Sequence, residues 1–444
     1  MLNERTFSAP LKRSHRLTTG GRLLTAFMVS IAFTGAPASS ATLTTLFSFN
    51  NIPFGAESPV VIGPGGVLYG STLLGGSGTC VLEFIGDLNF GCGFVYSLTP
   101  STPGGAWTET VLYTFPGYTA GGLPAGNMAL VITADPEGGR ATLYGMTNAD
   151  GNHGNGGTVF SLTTPLSGGS VTHRKLDTFS GSAGNNYNNT GGITLGSGGV
   201  LYGTLQNGGA ANLGIAFSLT PAPGGVWNQT VLHNFGSGSD GAGPYGNLAI
   251  GPGGVLYGTT YGSGTDDGGT VFSLTPPASP GGAWTEQVIY DFSYASSVCP
   301  EVVVGSSGVV YGMTSAGGAF ESGTVFSLTP PATPGGAWTE QDIYTFTGGA
   351  DGSLPQASVT IGSGGALYGT TLNGGSNGVG TVFSLTPPAI AGDPWTESVL
   401  FSFADASTGV NPATSVTLGE GGIIYGTTAS GGTFNGGTVF SLAP

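Results

Sequence analysis

One stretch, Gly253–Thr275 (GGVLYGTTYGSGTDDGGTVFSLT), recurs seven times along the chain and leaves few folds open to it. Its central aromatic falls at Tyr69, Tyr144, Tyr202, Tyr257, Tyr311, Tyr368 and Tyr425, each preceded by Leu, Val or Ile and followed by Gly. The intervals are 75, 58, 55, 54, 57 and 57 residues, the first lengthened by insertions. A second run ends in Ser-Leu seven times, from Gly93–Leu98 to Gly437–Leu442. Self-similarity on this scale belongs to propellers, solenoids and arrays, whose units bury their apolar faces only against their neighbours.

Two further segments complete the unit. A short apolar run precedes each Gly-Gly turn, as in Leu248-Ala249-Ile250 and Val416-Thr417-Leu418, and a Trp-led run follows Ser-Leu, as in Trp227–Phe235 and Trp284–Phe292. All four are short, rich in Val, Ile, Tyr, Phe and Thr, and bounded by Gly, Pro, Asn and Ser, which is the signature of strands. We denote them a (LAI), b (VLYGT), c (GTVFSL) and d (WTExVLYxF). Seven four-stranded units predict an all-β, seven-bladed β-propeller, and runs that are apolar on both faces suit blades packed between neighbours. The Gly after each Tyr reads as a place where a side chain of another blade approaches the backbone. The ends point to closure. Thr42–Phe49 matches strand d alone and the chain stops on strand c, so the first strand is expected to pair into the last blade and remove an open sheet edge.

Residues 1–41 do not belong to the repeat. Arg5, Lys12, Arg13, Arg16 and Arg22 precede the apolar run Leu23–Gly35 and the small residues Ala36–Ala41, the pattern of a secretory signal peptide. Cleavage is expected after Ala38 or Ala41, leaving 42–444 as one propeller domain with no membrane span, since the apolar run is shorter than a bilayer requires. The whole chain carries a formal charge of −15, and the leader holds five of its eight Lys and Arg residues. A mature surface this acidic disfavours nucleic acid and anionic membranes. Secretion or periplasmic residence as a monomer is the expectation.

Three cysteines remain to be placed. Cys80 and Cys92 flank Val81–Gly91, an insertion confined to the first unit that reads as a hairpin, and a disulfide across its base suits an exported protein, with two free thiols the alternative. Cys299 is read as a small packing residue.

Little in the chain points to catalysis. All five Trp residues open strand d, which marks them for packing between blades, and the Glu two positions on (Glu109, Glu286, Glu340, Glu397, with Gln229 in the same place) repeats too regularly to be a special site. Strand a is expected to line the central channel, and its middle residues are small and uncharged. No Ser-His-Asp or Cys-His arrangement is present, His153, His173 and His233 have no ligand spacing, and no Gly-rich string opens a helix. No metal or other cofactor is expected. Ca²⁺ is the nearest candidate, at Asp266-Asp267-Gly268 or Asp240-Gly241, although neither has the loop of a known calcium motif. The d–a and b–c loops fall on one face and collect most of the loop acids and aromatics. Asp240, Tyr245, Tyr261, Asp266, Asp267, Phe320 and Asp351 are therefore the candidate binding residues, because rigid scaffolds carry function on loops. The alternative is that the acids merely solvate turns, where Asp and Asn are favoured in any case.

The pattern GGxLYGTT…GG…GTVFSLTP…WTExVLYxF resembles the GloVer (Gloeobacter/Verrucomicrobia) tandem repeat of exported bacterial proteins over essentially the whole mature chain, and more loosely the kelch repeat. The resemblance implies an extracellular or surface protein and brings no catalytic residues with it. The chain ends Ser441-Leu442-Ala443-Pro444, without a hydrophobic tail or sorting motif, which favours a freely exported protein. The reading that results is a non-catalytic binding or interaction module for a glycan or a protein. The alternatives are a secreted carbohydrate-active enzyme using loop carboxylates, and a passive extracellular structural protein.

Overall fold

The computed structural model describes residues 41–50, 58–80, 91–100, 105–117, 122–124, 130–134, 139–149, 157–179, 191–236, 239–262, 267–279, 281–293, 296–333, 335–390 and 392–443. The leader lies outside them except for Ala41, and so does the insertion hairpin except for Gly91. Compact units divide after Ser39, and the second unit, Ser40–Pro444, contains every strand.

The chain forms seven antiparallel sheets in sequence order, each laid out a-b-c-d. The fourth is representative, with strands Ala242–Ile250, Leu256–Gly262, Asp267–Thr275 and Thr285–Ser293. The second gains a fifth strand, Gly122–Pro124, which pairs with the end of its long strand b, Arg140–Ala149. The seventh is composite: Thr417–Leu418, Ile424–Thr428 and Asn435–Ala443 are completed by Thr42–Asn50 from the other end of the chain. That last pairing runs from Thr42 against Ala443 to Asn50 against Asn435. The propeller is thus closed by its N-terminal strand.

The core is divided among the seams. The buried apolar residues form seven clusters, each drawn from two adjacent blades. Within strand c the side chains alternate between seams. Val271 joins the cluster shared with the fifth blade, while Phe272 and Leu274 join the one shared with the third. Because both faces of a blade are covered, its strands need no polar side, which explains the continuous apolar runs.

Each letter of the repeat has a contact. The last Phe of strand d packs on the strand c aromatic of the next blade, as in Phe235–Phe272 (centroids 4.9 Å apart) and Phe346–Phe383 (5.2 Å). The Trp that opens strand d packs edge-on against the preceding blade's central Tyr, as in Tyr202–Trp284 (5.9 Å) and Tyr311–Trp395 (6.1 Å). Such pairs add about 0.5–1.5 kcal/mol each beyond the area they bury. The Thr after Tyr-Gly donates its hydroxyl to a backbone carbonyl of the next blade: Thr204 to Gly246 (3.0 Å), Thr259 to Pro300 (2.9 Å) and Thr370 to Thr414 (2.9 Å). The Thr after that meets the Thr of GTVF across the strand pair, as in Thr260–Thr270 (2.9 Å) and Thr371–Thr381 (2.8 Å). The closing seam repeats this set. Phe49 packs on Tyr96 (5.1 Å), Trp107 on Tyr425 (6.3 Å), and the hydroxyls of Thr417 and Thr427 donate to Val60 (2.5 Å) and Ser58 (3.3 Å).

The Gly after the central Tyr requires a correction. The side chain lying on it comes from its own blade. Gly258 pairs with Phe272 across strands b and c, and a Cβ at Gly258 would stand 2.6 Å from Cζ of that ring. Gly203, Gly312, Gly369 and Gly426 meet Phe217, Phe326, Phe383 and Phe440 in the same way, and Gly70 meets Tyr96. The ring folds over its cross-strand partner because the neighbouring blade already occupies the space above it, so the seam sets the shape but does not supply the atom.

Candidate functional site

The d–a connections bridge to the ends of strand b and to the b–c loops, at Val298–Thr314, Ser353–Asn373 and Val410–Ser430. Two hollows are built from these segments. One, of about 340 Å³, lies between the third and fourth blades and is lined by Gln206, Asn207, Asn212 and Leu213 on one side and Ala242, Gly243, Tyr261 and Gly262 on the other. The second, of about 220 Å³, is lined by Tyr245, Val298, Cys299, Pro300, Ser315 and Gln356.

The residues singled out from the sequence divide among these places. Tyr245 and Tyr261 lie on strands, since the fourth blade extends its strand a back to Ala242 and its strand b out to Gly262. The two rings meet edge-on at 5.8 Å. Tyr245 donates to the Val298 carbonyl (3.2 Å), and its phenol is held far above its ordinary pKa by burial, whereas Tyr261 is 68% exposed. Asp267 begins strand c and Asp266 lies outside the described residues. Phe320 projects from the b–c loop of the fifth blade, 57% exposed, just before Glu321 at φ +53°. Phe434 repeats this in the seventh blade, before Asn435 at φ +58°. Cys80 and Cys92 are joined, with Cα atoms 5.1 Å apart, and Cys299 is a buried free thiol donating to the Pro355 carbonyl.

Asp240 and Asp351 occupy matching places, each seven residues after the seventh position of strand d. Asp351 accepts the Thr347 N–H (2.7 Å), the Thr347 hydroxyl (2.6 Å) and the Tyr344 phenol (3.0 Å). Burial works to raise its pKa, but the bonds from Thr347 and Tyr344 outweigh burial and hold the carboxyl below its usual value. Asp240 accepts the Gly236 N–H on one oxygen and faces His233 Nε2 with the other at 3.0 Å. Both acids therefore brace the loop that follows strand d.

The repeating Glu of strand d stands across the seam from that brace. Glu397 is pushed up to about 7 by burial and by the charge of Asp351, and Glu286 to about 7 by burial and by the charge of Asp240. One carboxylate oxygen of each is enclosed without a hydrogen-bond partner among the described residues. At the seam between them Glu340 accepts from Tyr290 (3.3 Å). At the third–fourth seam His233 takes the place that Tyr290 and Tyr344 hold elsewhere. There ligand atoms of His233, Asp240 and Glu286 all lie within 4.8 Å of one another. Spacing along the chain did not disclose this group, because its members come from a strand, a loop and the next blade's strand. The usable signal was His233 at a position where the other blades carry Tyr, Phe or Asp.

On the axial side, Asn247 and Glu301 hold corresponding positions in neighbouring blades and are joined by a 2.7 Å hydrogen bond. Burial raises Glu301 to about 7 against the opposing effect of that amide.

A family model described as the Gloeobacter/Verrucomicrobia repeat matches residues 78–301 and again 251–444. The chain belongs to the Gloeobacter/Verrucomicrobia repeat family. No curated protein matches it. Among solved structures, this repeat protein is similar to a catalytically inactive variant of virginiamycin B lyase from Staphylococcus aureus with quinupristin. That match has 16% identity and a TM-score of 0.51, over 91% of this chain and 99% of the other. It is also similar to the periplasmic gluconolactonase of Pseudomonas aeruginosa (12% identity, TM-score 0.45, 79% and 95% covered). A third match is the NanB sialidase of Streptococcus pneumoniae (12% identity, TM-score 0.42, 90% and 70% covered). At 16% identity the first of these matches speaks for the propeller fold alone. Among the described residues no helix is long and apolar enough to cross a membrane.

Proposed function

We propose that this repeat protein is an exported binding module, working by recognition without catalysis, and that its partner is a neutral glycan held in the hollow between the third and fourth blades. The observation that carries the reading is the lining of that hollow. Side-chain amides of Gln206, Asn207 and Asn212 stand opposite the exposed ring of Tyr261. Amides both donate and accept, which matches sugar hydroxyls, and an exposed aromatic offers a flat face to the apolar side of a pyranose. Among the described residues the same lining carries no charge. Two of the loop carboxylates that an enzyme could use, Asp240 and Asp351, hold their own loops together. Export rests on the basic and apolar leader, and the acidic mature surface suits a soluble partner-seeking protein.

The mature chain screened on a glycan array and then titrated with the best neutral oligosaccharide tests this. Binding is expected, with Tyr261→Ala and Asn207→Ala each weakening it about tenfold, ~1.4 kcal/mol. Retention of no neutral glycan, or unchanged affinity in Tyr261→Ala, overturns the proposal.

A further inference from the structure

We propose that the seam between the third and fourth blades is a divalent-metal site of the zinc type, with His233, Asp240 and Glu286 as its protein ligands. The group consists of one imidazole nitrogen and two carboxylate oxygens, all within 4.8 Å of one another. His233 Nε2 and an Asp240 oxygen are already 3.0 Å apart. Two ligands bonded at about 2.0–2.1 Å to one tetrahedral ion stand roughly 3.3 Å apart, so this pair needs almost no movement and Glu286 closes the rest through its flexible side chain.

The partners are pre-set. The second Asp240 oxygen is held by the Gly236 N–H, which leaves the first directed at the imidazole. The His233 ring is fixed edge-on against Phe235 at 4.8 Å, and Phe235 is itself buried in the seam. One oxygen of Glu286 is enclosed and accepts no hydrogen bond among the described residues, an arrangement that a cation would satisfy. The side chains of His233 and Asp240 are 22% and 25% exposed, so an ion can enter from solvent and still leave a coordination position for water.

The other seams supply the internal comparison. Where Tyr344 replaces His, its phenol donates to Asp351 and Thr347 occupies the remaining acceptor positions, so Asp351 has its oxygens committed. Where Tyr290 replaces it, the phenol bonds Glu340 directly. In those seams a neutral phenol stands where the imidazole does here, and although a Glu397 oxygen is enclosed like that of Glu286, it has no nitrogen ligand beside it. Only the third–fourth seam combines imidazole with two carboxylates among the described residues. A mixed nitrogen and oxygen set of three suits Zn²⁺, or next Mn²⁺. Ca²⁺ takes six to eight oxygens and is disfavoured.

The site lies outside the glycan hollow, so it is tested without any glycan. Untagged mature protein, stripped with EDTA and dialysed, is titrated with ZnSO₄ by calorimetry, and its thermal midpoint is followed with and without metal. One site is expected, with a midpoint several degrees higher under saturating Zn²⁺. His233→Tyr restores the residue that neighbouring seams use, so it is expected to fold with the midpoint of the stripped wild type and to lose Zn²⁺ affinity by ~100-fold or more. Glu286→Gln is expected to weaken binding at least tenfold. Absence of a stoichiometric Zn²⁺ site in the wild type overturns the assignment, as does equal binding by a folded His233→Tyr protein. Binding of Ca²⁺ as tight as Zn²⁺ overturns the choice of metal.

Discussion

Gly258→Ala is the sharpest test of how the blades are built, because two effects of opposite sign compete there. Replacing a strand glycine by alanine ordinarily stabilises by roughly 0.5–1 kcal/mol, since the unfolded chain loses freedom. At Gly258 the new Cβ would stand 2.6 Å from Phe272 Cζ and 2.7 Å from Leu248 Cδ2. Neither neighbour has room to move, with Phe272 0% and Leu248 2% exposed inside one seam cluster. Overpacking of this kind costs about 1–3 kcal/mol, and with both neighbours locked the middle of that range applies, so the net effect is a loss of about 1 kcal/mol. Gly139→Ala is the control: nothing lies within 4 Å of its Cβ position, and that variant should stay within ~0.5 kcal/mol of wild type. The assay is urea denaturation followed by tryptophan fluorescence, comparing midpoints at constant slope. Phe272→Leu introduced with Gly258→Ala should recover part of the combined loss, giving a coupling energy of at least 0.5 kcal/mol. If Gly258→Ala equals or exceeds wild type in stability, the ring does not hold the glycine in place and the reading of the YG dipeptide fails.

Two further predictions concern closure and charge. Deleting residues up to Asn50 removes the strand that pairs with Asn435–Ala443 and unpacks Phe49 from Tyr96, so the shortened chain should aggregate or lose its sharp thermal transition, and a peptide of residues 41–50 should restore both; a monomer with wild-type melting refutes closure. Glu397 has a folded pKa of about 7 against an ordinary 4.5, so the folded state binds more protons between those values and stability falls as pH rises through that window. With its carboxyl partly open to solvent, the contribution is about 1 kcal/mol, and Glu397→Gln should flatten the fall in urea midpoint from pH 5 to pH 8 by that amount; an unchanged slope refutes the assignment.

What the sequence disclosed and what it withheld have one physical origin. Strand order, closure and the Trp positions could be read because each is written seven times, or five, and a repeated residue has a repeated neighbour: Trp107, Trp227, Trp284, Trp338 and Trp395 all meet the preceding blade's Tyr. The same repetition concealed which atom sits on the glycine, since a period gives spacing along the chain and does not distinguish a blade's own Phe from its neighbour's. It also placed Tyr245 and Tyr261 on loops, because among the described residues strand a is two to four residues long in the other blades and nine in the fourth, whose strand b also runs on to Gly262.

The acids are harder to read along the chain for a related reason. A repeat defines a default at each position, and functional information lies in departures from the default that converge in space. Glu286 follows the default of its position, which Glu109, Glu340 and Glu397 share, while Asp240 recurs only at Asp351. Counted along the chain, the Glu reads as structural and the Asp as one loop acid among several. His233 departs from the default, yet alone it is one histidine on a strand. Only the packing of one blade on the next brings His233 against both carboxylates, at 3.0 Å from Asp240 and within 4.8 Å of Glu286. In the proposed metal site the seam thus draws into one ligand set a scaffold carboxylate that has no imidazole beside it in the Tyr-bearing blades. A blade that exchanges its position-seven Tyr for His therefore alters one seam of the propeller and leaves the other six, and the fold they maintain, as they were.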